Sequence, residues 1–273
     1  MAGGSRSLTC AVAHFEIQKA MSRKQSVEER YTSAEIRRYE AIFGRHFISP
    51  GGLESTRRFL ELVQLTPESC VLDVGCGIGG SAFYMARTFG CHVDAIDLST
   101  EMIRVARERV KEEGLEAKVQ FFQGDCLTFQ YPRSDYNLIY SRDVFLHIDD
   151  KRSVFATLRR ILAPDGRLLF TDYIRGPGAQ SAEFRAYVRK HGYALEDLDS
   201  YQGLLIESGF EVLRAENLTG MFLDILTREL EGLPRSSLDR QDVLYLEERW
   251  KQKVLRAEAG EQGWALFLAR RAE

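Results

Sequence analysis

The chain has 273 residues, with 37 lysines and arginines against 40 aspartates and glutamates, so its formal net charge is −3. Hydrophobic residues make up 44% of the sequence and charged residues 28%, which is typical of a soluble globular protein with a sizeable core. No apolar run approaches the roughly 20 residues needed to span a bilayer. The balance of charges lacks the basic surplus of a nucleic-acid binder. We therefore expect neither a membrane nor a nucleic-acid partner.

Five cysteines are spread through the chain without any C-x-x-C pair. Their odd number and wide spacing favour free thiols in a reducing compartment. Residues 1–27 have neither the apolar stretch nor the cleavage site of a signal peptide, and their mixed polarity follows no sustained period. We predict a flexible N-terminal tail over residues 1–27, a cytoplasmic location and a monomer.

An N-terminal helix is predicted for residues 28–47, where apolar side chains recur at helical spacing and Thr32 and Ser33 can act as caps. A break at the Ser-Pro-Gly-Gly sequence 49–52 precedes a second predicted helix at 53–65. We expect the helix at 28–47 to act as a lid over the domain that follows.

From residue 69 onward, short buried strands alternate with amphipathic helices. The predicted strands are 69–74, 92–97, 119–123, 136–141, 167–172, 210–216 and 264–269, and the helices between the first five are 81–89, 100–113 and 151–162. This alternation is typical of an open, mostly parallel sheet with helices on both faces. We predict one α/β domain over residues 28–273, Rossmann-like in its sheet, with a largely helical insertion at about 181–260.

The most informative stretch runs from Val71 to Gly80, where a strand ends in the sequence Gly-Cys-Gly-Ile-Gly-Gly. Glycines let the backbone turn tightly and let a ligand approach without meeting a Cβ atom. Ligands of open α/β sheets bind at the carboxyl ends of the strands, which is where this turn lies. Gly75, Gly77 and Gly80 match G-x-G-x-x-G, and Asp97 follows about 20 residues later, a pattern that also fits a dinucleotide site.

Two further carboxylates favour S-adenosylmethionine over a dinucleotide. Asp73 precedes Gly75 by two residues, where it can face an amino-acid ammonium group. Asp125 follows the third strand, where it can accept a hydrogen bond from an adenine amino group, and Asp97 would accept both ribose hydroxyls. The series Asp73, Gly75, Gly77, Asp97 and Asp125 resembles that of the class I S-adenosylmethionine-dependent methyltransferases. The resemblance implies S-adenosylmethionine as the cofactor and no metal.

The segment after the fourth strand, Tyr-Ser-Arg-Asp-Val-Phe-Leu-His at 140–147, lies where this class carries out its substrate chemistry. The Pro-Pro motif of enzymes that methylate nucleobases or glutamine is absent from it. A small amine needs help to lose its proton, because an alkylammonium group has a pKa of about 10. Asp143 and His147 are four residues apart, so a helix here would place both on one face and in one pocket. A helix-starting aspartate and a structural histidine would explain the same pair without catalysis.

Several stretches between about Tyr31 and Ala269 are similar to phosphoethanolamine N-methyltransferases. They are Phe43-Gly44, Phe47-Ile48-Ser49-x-Gly51-Gly52, Tyr140-Ser141-Arg142-Asp143, Thr171-Asp172-Tyr173 and Trp264-x-Leu266-Phe267. The resemblance implies a sheet domain that binds S-adenosylmethionine and helical lids that close over a small phospho-base. It also implies stepwise N-methylation of phosphoethanolamine toward phosphocholine.

The same resemblance implies roles for individual residues. Tyr31 and His147 would form a catalytic latch, and Asp143 would handle the amine proton. The positions that would contact the methyl donor, besides Asp73 and Gly77, are Tyr39, Ser49, Gly75, Asp97, Leu98, Asp125, Cys126 and Arg142. The positions that would contact the phospho-base are Tyr173, Tyr187 and Tyr193, with His191 and Arg189 beside them.

Two positions depart from the family pattern. The arginine expected two residues before Tyr193 is His191 here, and a histidine is charged only part of the time near neutral pH. The C-terminal lysine of the family pocket aligns most directly with Leu255. Nearby cations are Arg189, Lys190, Lys251, Lys253 and Arg256. The weakened contact with phosphate leaves open an N-methyltransferase for another small amine or amino acid, such as glycine, sarcosine or dimethylglycine.

Overall fold

A single seven-stranded sheet organises the part of the chain that the computed structural model describes, namely Gln25 and residues 27–272. Its strands are β1 (Cys70–Val74), β2 (His92–Asp97), β3 (Val119–Gln123), β4 (Tyr136–Arg142), β5 (Leu162–Arg175), β6 (Phe210–Asn217) and β7 (Gln262–Arg271). They lie in the order β3-β2-β1-β4-β5-β7-β6. Strands β1 to β5 pair in parallel, and β7 pairs antiparallel with both β5 and β6. The predicted Rossmann-like, mostly parallel α/β fold is confirmed.

Helices precede, connect and flank the strands. They are α1 (Ser33–Phe43), α2 (Gly52–Leu60), α3 (Gly80–Phe89), α4 (Thr100–Glu112), α5 (Lys151–Ile161), α6 (Ala182–His191), α7 (Leu198–Glu207), α8 (Thr219–Gly232) and α9 (Arg240–Glu258). Most begin at a side chain that accepts a hydrogen bond from the first turn, which satisfies a backbone N–H with no partner inside the helix. Within the described residues, no helix combines the length and apolar character needed to traverse a bilayer. The predicted tail, residues 1–27, lies almost entirely outside the described residues.

The N-terminal helix differs from its prediction. Residues 27–30 are helical, the chain leaves the helix at Tyr31, and α1 then starts with Thr32 as its N-cap and ends at Phe43. The hydroxyl of Thr32 accepts the amide N–H of Glu35, which favours a new helix start over continuation of the preceding one. The predicted helix at 28–47 is therefore two pieces, with Tyr31 at the joint between them.

Strand β5 begins before its predicted start at residue 167 and includes the Pro-Asp-Gly sequence at 164–166. Its pairing with β4 passes from Leu162 opposite Tyr136 to Arg167 opposite Leu138, so the intervening residues form an irregularity within one strand. A Cβ atom on Gly166 would lie 2.7 Å from the carbonyl oxygen of Tyr136. Glycine at this position thus allows the two strands to approach across the irregularity.

Aromatic side chains fill the core on both faces of the sheet. On one face Phe170 of β5 stacks on Phe267 of β7 with ring centroids 4.9 Å apart, and Tyr201 of α7 packs on Phe267 at 4.8 Å. On the other face Trp264 of β7 lies edge-on to Phe59 of α2 at 5.4 Å. Because residues alternate in direction along a strand, β7 anchors the first cluster while it sends Trp264 to the opposite face. That face carries the cavity described next.

Candidate active site

A cavity of about 1000 Å³ opens beside the carboxyl ends of β1, β2 and β4. Its remaining walls come from the N-terminal segment (residues 27–51), from the C-terminal end of α6 and from α9. This is the edge at which open α/β sheets bind ligands. The volume lies at the upper end of the usual range for small-molecule sites, so two ligands of moderate size can be held together.

The glycine turn after β1 forms the floor of this cavity. Gly75 and Gly77 have φ angles of +72° and +55°, a region that side chains with a Cβ atom rarely adopt. The amide of Gly75 donates to the carbonyl of Ile96 at 2.8 Å, and the amide of Gly77 donates to Oδ2 of Asp97 at 2.9 Å. The turn therefore joins the end of β1 to the end of β2 and fixes the carboxylate of Asp97.

Substituting Gly75 by alanine is expected to destabilise the fold through two separable effects. The positive φ angle costs about 1–2 kcal/mol for a residue with a Cβ atom. That Cβ atom would also lie 2.1 Å from a methyl carbon of Val144, which adds about 1–3 kcal/mol of overpacking. Gly114 supplies a matched control, since its φ is +64° and nothing lies within 4 Å of its added Cβ. Urea unfolding of Gly75→Ala and Gly114→Ala separates the two costs, and equal losses would show that Val144 moves aside freely.

Two acids lie at the ends of β1 and β2, next to the glycine turn. Asp97 lines the cavity, and its carboxylate accepts the amides of Gly77 and Ser99, each at 2.9 Å. Asp73 is only 2% exposed, and its Oδ2 has no hydrogen-bond partner among the described residues. Burial, reinforced by nearby Asp97, raises the pKa of Asp73 to about 7. A buried carboxylate with a free oxygen favours a cationic group placed beside it.

Asp143 is the third acid, held at the edge of the sheet just after β4. Its backbone has a φ of +58°, and its amide still donates to the carbonyl of Thr171 on β5. Oδ1 accepts the indole N–H of Trp264 at 2.6 Å and the hydroxyl of Thr171 at 3.0 Å. Oδ2 is buried and has no hydrogen-bond partner within residues 27–272. Two donors thus fix the carboxylate and leave one oxygen for a ligand.

The prediction that Asp143 and His147 share a helix face is wrong. Asp143 continues the pairing of β4 with β5, and a single 3-10 turn over Phe145–His147 follows it. Both side chains nevertheless line the same cavity, one directly after β4 and the other at the end of the 3-10 turn. Their proximity therefore depends on strand pairing and not on helical spacing.

His147 is a neutral acceptor in the cavity wall. Desolvation, assisted by the charge of Arg30, lowers the pKa of His147 to about 3. An Nη atom of Arg30 lies 3.0 Å from Nδ1 of His147, and the ring of Tyr193 lies edge-on to the imidazole at 5.2 Å. Burial raises the pKa of Tyr31, also in this wall, to about 12, so its hydroxyl keeps its proton at neutral pH. Arg30 thus donates a hydrogen bond to His147, whereas the family resemblance implied Tyr31 as the partner of this histidine.

The 3-10 turn that carries His147 is tied to the segment after α6. The amide of Ala194 donates to the carbonyl of Leu146 at 2.7 Å. The buried ammonium of Lys151 donates to the carbonyl of Ile148 at 2.9 Å and also to that of Ala194. These bonds hold the histidine and the neighbouring Tyr193 in one rigid unit.

Tyrosines and cations form the wall opposite the glycine turn. Tyr173, Tyr187 and Tyr193 all line the cavity. Nζ of Lys253 lies 3.5 Å from the hydroxyl of Tyr173, and the guanidinium carbon of Arg256 lies 3.8 Å from the ring centroid of Tyr187. Desolvation lowers the pKa of Lys253 to about 8, against the opposing effect of nearby acids. The wall therefore offers hydroxyl donors, positive charge and aromatic faces to one ligand.

Most residues predicted as site residues line the cavity. They are Tyr31, Tyr39, Ser49, Gly75, Asp97, Leu98, Asp125, Cys126, Arg142, Asp143, His147, Tyr173, Tyr187, His191 and Tyr193. Asp73 and Gly77 are not part of the lining surface, although Gly77 binds the carboxylate of Asp97. Arg189 departs from its prediction, because it is exposed on α6 and lies outside the lining.

Two residues predicted to contact the methyl donor also help to attach the N-terminal segment to the rest of the domain. Arg142 is 6% exposed and donates to the hydroxyl of Thr56 at 3.1 Å and to the carbonyl of Pro50 at 2.7 Å. Tyr39 accepts a hydrogen bond from Arg249 of α9 at 3.1 Å. These contacts hold both sides of the cavity against the carboxyl edge of the sheet.

The cations of α9 show where alignment by sequence pattern falls short. Leu255, aligned with the family lysine, is 55% exposed, whereas Lys253 and Arg256 face the cavity. Residues 249, 253 and 256 recur at spacings of four and three, so one helix face presents all three cations. Arg249 was not among the residues predicted from the sequence, although this periodicity places it on the same helix face as Lys253 and Arg256. Arg30 was missed as well, and its position beside Tyr31 was the only hint.

Comparison with known proteins identifies the kind of site this is. Residues 71–166 match a family model described as a methyltransferase domain. Phosphoethanolamine N-methyltransferase 3 of Arabidopsis thaliana is 43% identical over 248 residues, which cover 89% of this chain and 50% of the plant protein. A structure of phosphoethanolamine N-methyltransferase 2 of Haemonchus contortus, in complex with phosphomonomethylethanolamine and S-adenosylhomocysteine, superposes with a TM-score of 0.87 at 31% identity. That superposition covers 92% of this chain and 61% of the nematode chain.

The length of the match differs among these relatives. The chain spans about half the length of the plant enzyme, at 50% of its residues. It covers 92% of the phosphoethanolamine N-methyltransferase of Plasmodium falciparum, to which it is 31% identical over 249 residues. Since that similarity extends over nearly the whole of this relative, the chain belongs to the phosphoethanolamine N-methyltransferase family.

Proposed function

We propose that the protein transfers methyl groups from S-adenosylmethionine to phosphoethanolamine, to its mono- and dimethylated forms, or to both, toward phosphocholine. The observation that carries the proposal is the free Oδ2 of Asp143, a buried acceptor in a cavity that also presents Lys253 and Arg256. A substrate with an amine at one end and a phosphate at the other matches this pairing of charges. The names of the plant and Plasmodium relatives, and the two molecules in the nematode complex, support the same choice.

The floor of the cavity fits the methyl donor. Asp97 would accept from the ribose hydroxyls, and the free oxygen of Asp73 is suited to the positive end of the amino-acid moiety. Asp125 and Cys126 line the same side of the cavity and would contact the base. S-adenosylmethionine supplies a methyl group on a positively charged sulfur, which is already a good leaving group. The protein therefore has mainly to align the amine and exclude water.

We propose that Asp143 binds and orients the amine. Its Oδ2 would accept an N–H of the substrate, while the bonds from Trp264 and Thr171 stop the carboxylate from rotating. The alkylammonium group must lose a proton to expose its lone pair, and Asp143 with neutral His147 are the acceptors in this part of the wall. Tyr31, at the joint between two helical pieces, would close the cavity above them.

The opposite wall would hold the phosphate. Lys253 and Arg256 supply positive charge, and the hydroxyls of Tyr173, Tyr187 and Tyr193 can donate to phosphate oxygens. Each methylation moves the amine toward a permanent cation, and aromatic faces attract such cations by about 0.5–2 kcal/mol per contact. A wall of this kind accommodates all three methylation states.

A methyltransferase for glycine, sarcosine or dimethylglycine is the second candidate. His191 favours it, because burial lowers the pKa of this histidine and leaves it uncharged near neutral pH. A single carboxylate needs only one cation, however, and the cavity is lined by Lys253, Arg256 and Arg30 together. Three cations match a phosphate dianion better than a single carboxylate, so the phospho-base remains the proposal.

A substrate panel tests this choice directly. Purified protein and S-adenosylmethionine are incubated with phosphoethanolamine, its methylated forms, ethanolamine, glycine and sarcosine, and products are read by mass spectrometry. We expect methylated phospho-bases and no methylated amino acids. Turnover of glycine or sarcosine with none on any phospho-base would reject the proposal.

The Tyr31→Phe variant tests the closing role of the hydroxyl. Loss of one hydrogen bond of ordinary strength is expected to slow turnover about tenfold, because only this hydroxyl is removed from the cavity wall. Affinity for S-adenosylhomocysteine by calorimetry and the thermal midpoint serve as controls and should not change. An unchanged rate would remove the Tyr31 hydroxyl from the mechanism.

Three features predicted from the sequence remain predictions. They are the movement of the N-terminal segment as a lid, the cytoplasmic location and the monomeric state. Hydrogen exchange of residues 27–51 with and without ligands tests the first of them. Cell fractionation and size-exclusion chromatography test the other two.

A further inference from the structure

Arg30 joins two parts of the cavity wall that come from distant parts of the chain. One Nη atom lies 3.0 Å from Nδ1 of His147, and the other donates to the carbonyl oxygen of His191 at 2.9 Å. The guanidinium carbon lies 5.7 Å from the ring centroid of Tyr193. The charge of Arg30 thus stands among the residues assigned to the phospho-base, although Arg30 belongs to the N-terminal segment.

The end of α6 supplies little permanent charge to this wall. His191 lies against Tyr187, with its Nδ1 3.0 Å from the carbonyl oxygen of that residue. Arg189 is exposed outside the cavity, and Lys190 lines only an exposed part of it, where solvent screens its charge. A phosphate at this end of the cavity would therefore need a cation from another element.

The two acceptors that Arg30 contacts are both uncharged, namely an imidazole kept neutral by its surroundings and a backbone carbonyl. Hydrogen bonds from a guanidinium group to an anion are roughly twice as strong as those to neutral acceptors. A guanidinium group also binds phosphate with two parallel N–H donors. A phosphate entering beside Tyr193 would therefore compete successfully for the donors of Arg30.

We propose that Arg30 is a phosphate-binding, specificity-determining residue, and that it supplies from the N-terminal segment the permanent charge that His191 does not provide. The inference rests on the proposed function and extends it. It implies that the phosphate of the substrate, once bound, adds a further contact between the N-terminal segment and the wall formed by α6. It also implies that an exchange of charge between positions 30 and 191 preserves substrate recognition.

The experiment compares four variants of the full chain with wild type. Arg30→Gln keeps hydrogen-bond donors near His147 and the carbonyl of His191 but removes the charge. His191→Arg and the double variant Arg30→Gln/His191→Arg test the exchange. Arg37→Gln is the matched control, because Arg37 is an exposed arginine on α1 and is not in the cavity lining. The measurements are KM for phosphomonomethylethanolamine and the Kd for S-adenosylhomocysteine.

We expect Arg30→Gln to raise KM about tenfold to a hundredfold, as for loss of one charged hydrogen-bond donor, with the Kd for S-adenosylhomocysteine unchanged. Arg37→Gln should resemble wild type, and the double variant should recover most of the lost affinity. An unchanged KM in Arg30→Gln overturns the inference. A rise in the Kd for S-adenosylhomocysteine as large as the rise in KM also overturns it, because the guanidinium would then belong to the methyl-donor site. Lack of wild-type turnover would overturn the proposed function and this inference together, whereas normal turnover by Arg30→Gln would overturn the inference alone.

Discussion

Replacing Asp143 by asparagine is expected to lower kcat/KM for the phospho-base by about two to four orders of magnitude. The asparagine side chain has the same shape, so its carbonyl oxygen can still accept from Trp264 and Thr171, which bind Oδ1 in the native protein. The atom that replaces Oδ2 carries no negative charge and can present an N–H to the amine. Steady-state kinetics with phosphomonomethylethanolamine, at saturating methyl donor, measure the loss.

Two controls separate this effect from simpler ones. Thr171→Val removes one of the donors to Asp143 but keeps the carboxylate, so its rate should fall much less than that of Asp143→Asn. Binding of S-adenosylhomocysteine should be nearly the same in both variants and in wild type. If Asp143→Asn weakened the binding of S-adenosylhomocysteine by the same factor as it lowered kcat/KM, Asp143 would be a residue that binds the methyl donor only. Asp143→Ala is a poorer probe, because it would leave the indole N–H of Trp264 buried without its acceptor.

Lys253→Met is expected to raise KM for the phospho-base about tenfold to a hundredfold and to change its dependence on pH. The pKa of Lys253 is lowered to about 8, so in the free wild-type enzyme the ammonium loses its charge as the pH rises through that value. We therefore expect phosphate binding by this group to be full below about pH 7 and to weaken above about pH 8. The kcat/KM of wild type divided by that of Lys253→Met should therefore fall as the pH rises from about 7 to above about 8.

The ratio is the informative quantity, because deprotonation of the substrate amine affects both enzymes alike and cancels. Lys251→Met is the matched control, since Lys251 is exposed on α9 and lies 3.5 Å from Glu247 in a surface ion pair. Lys253→Arg should retain most of the affinity without the change near pH 8, because arginine stays protonated. A ratio that stays constant from pH 6 to pH 9 would show that Lys253 does not contact phosphate through its charge.

The sheet was predictable from sequence because its signals are local. Strands β2 and β3 have the predicted bounds, since each is a short segment with apolar residues at strand spacing and follows directly on the end of a predicted helix and its turn. The split at Tyr31 was harder to foresee, because Thr32 is equally acceptable as a residue inside a longer helix. The geometry of Asp143 and His147 follows from pairing of β4 with β5, which spacing along the chain does not reveal.

The residues of the candidate site also fall into two groups, those that local sequence predicts and those that depend on long-range packing. Residues just after β1, β2 and β4 could be assigned to a cavity from the motif alone, because parallel strands end at a common edge. The inward face of α9 depends on long-range packing, in which Trp250 is buried and Leu255 is turned outward. The spacing of residues 249, 253 and 256 places these cations on one helix face, but only that packing shows that the face is turned to the cavity. Arg30 reaches His147 and His191 only after the N-terminal segment has docked on the domain.

The bond between Trp264 and Asp143 has a consequence for the order in which the protein becomes competent. Trp264 lies on β7, which is synthesised after the other described strands and enters the sheet between β5 and β6. The residues of the glycine turn, Asp97 and Asp143 are therefore synthesised before the tryptophan that orients Asp143. The orientation of Asp143 by Trp264 is thus completed only when β7 pairs with β5, whereas the bonds from the glycine turn to Ile96 and Asp97 need only β1 and β2.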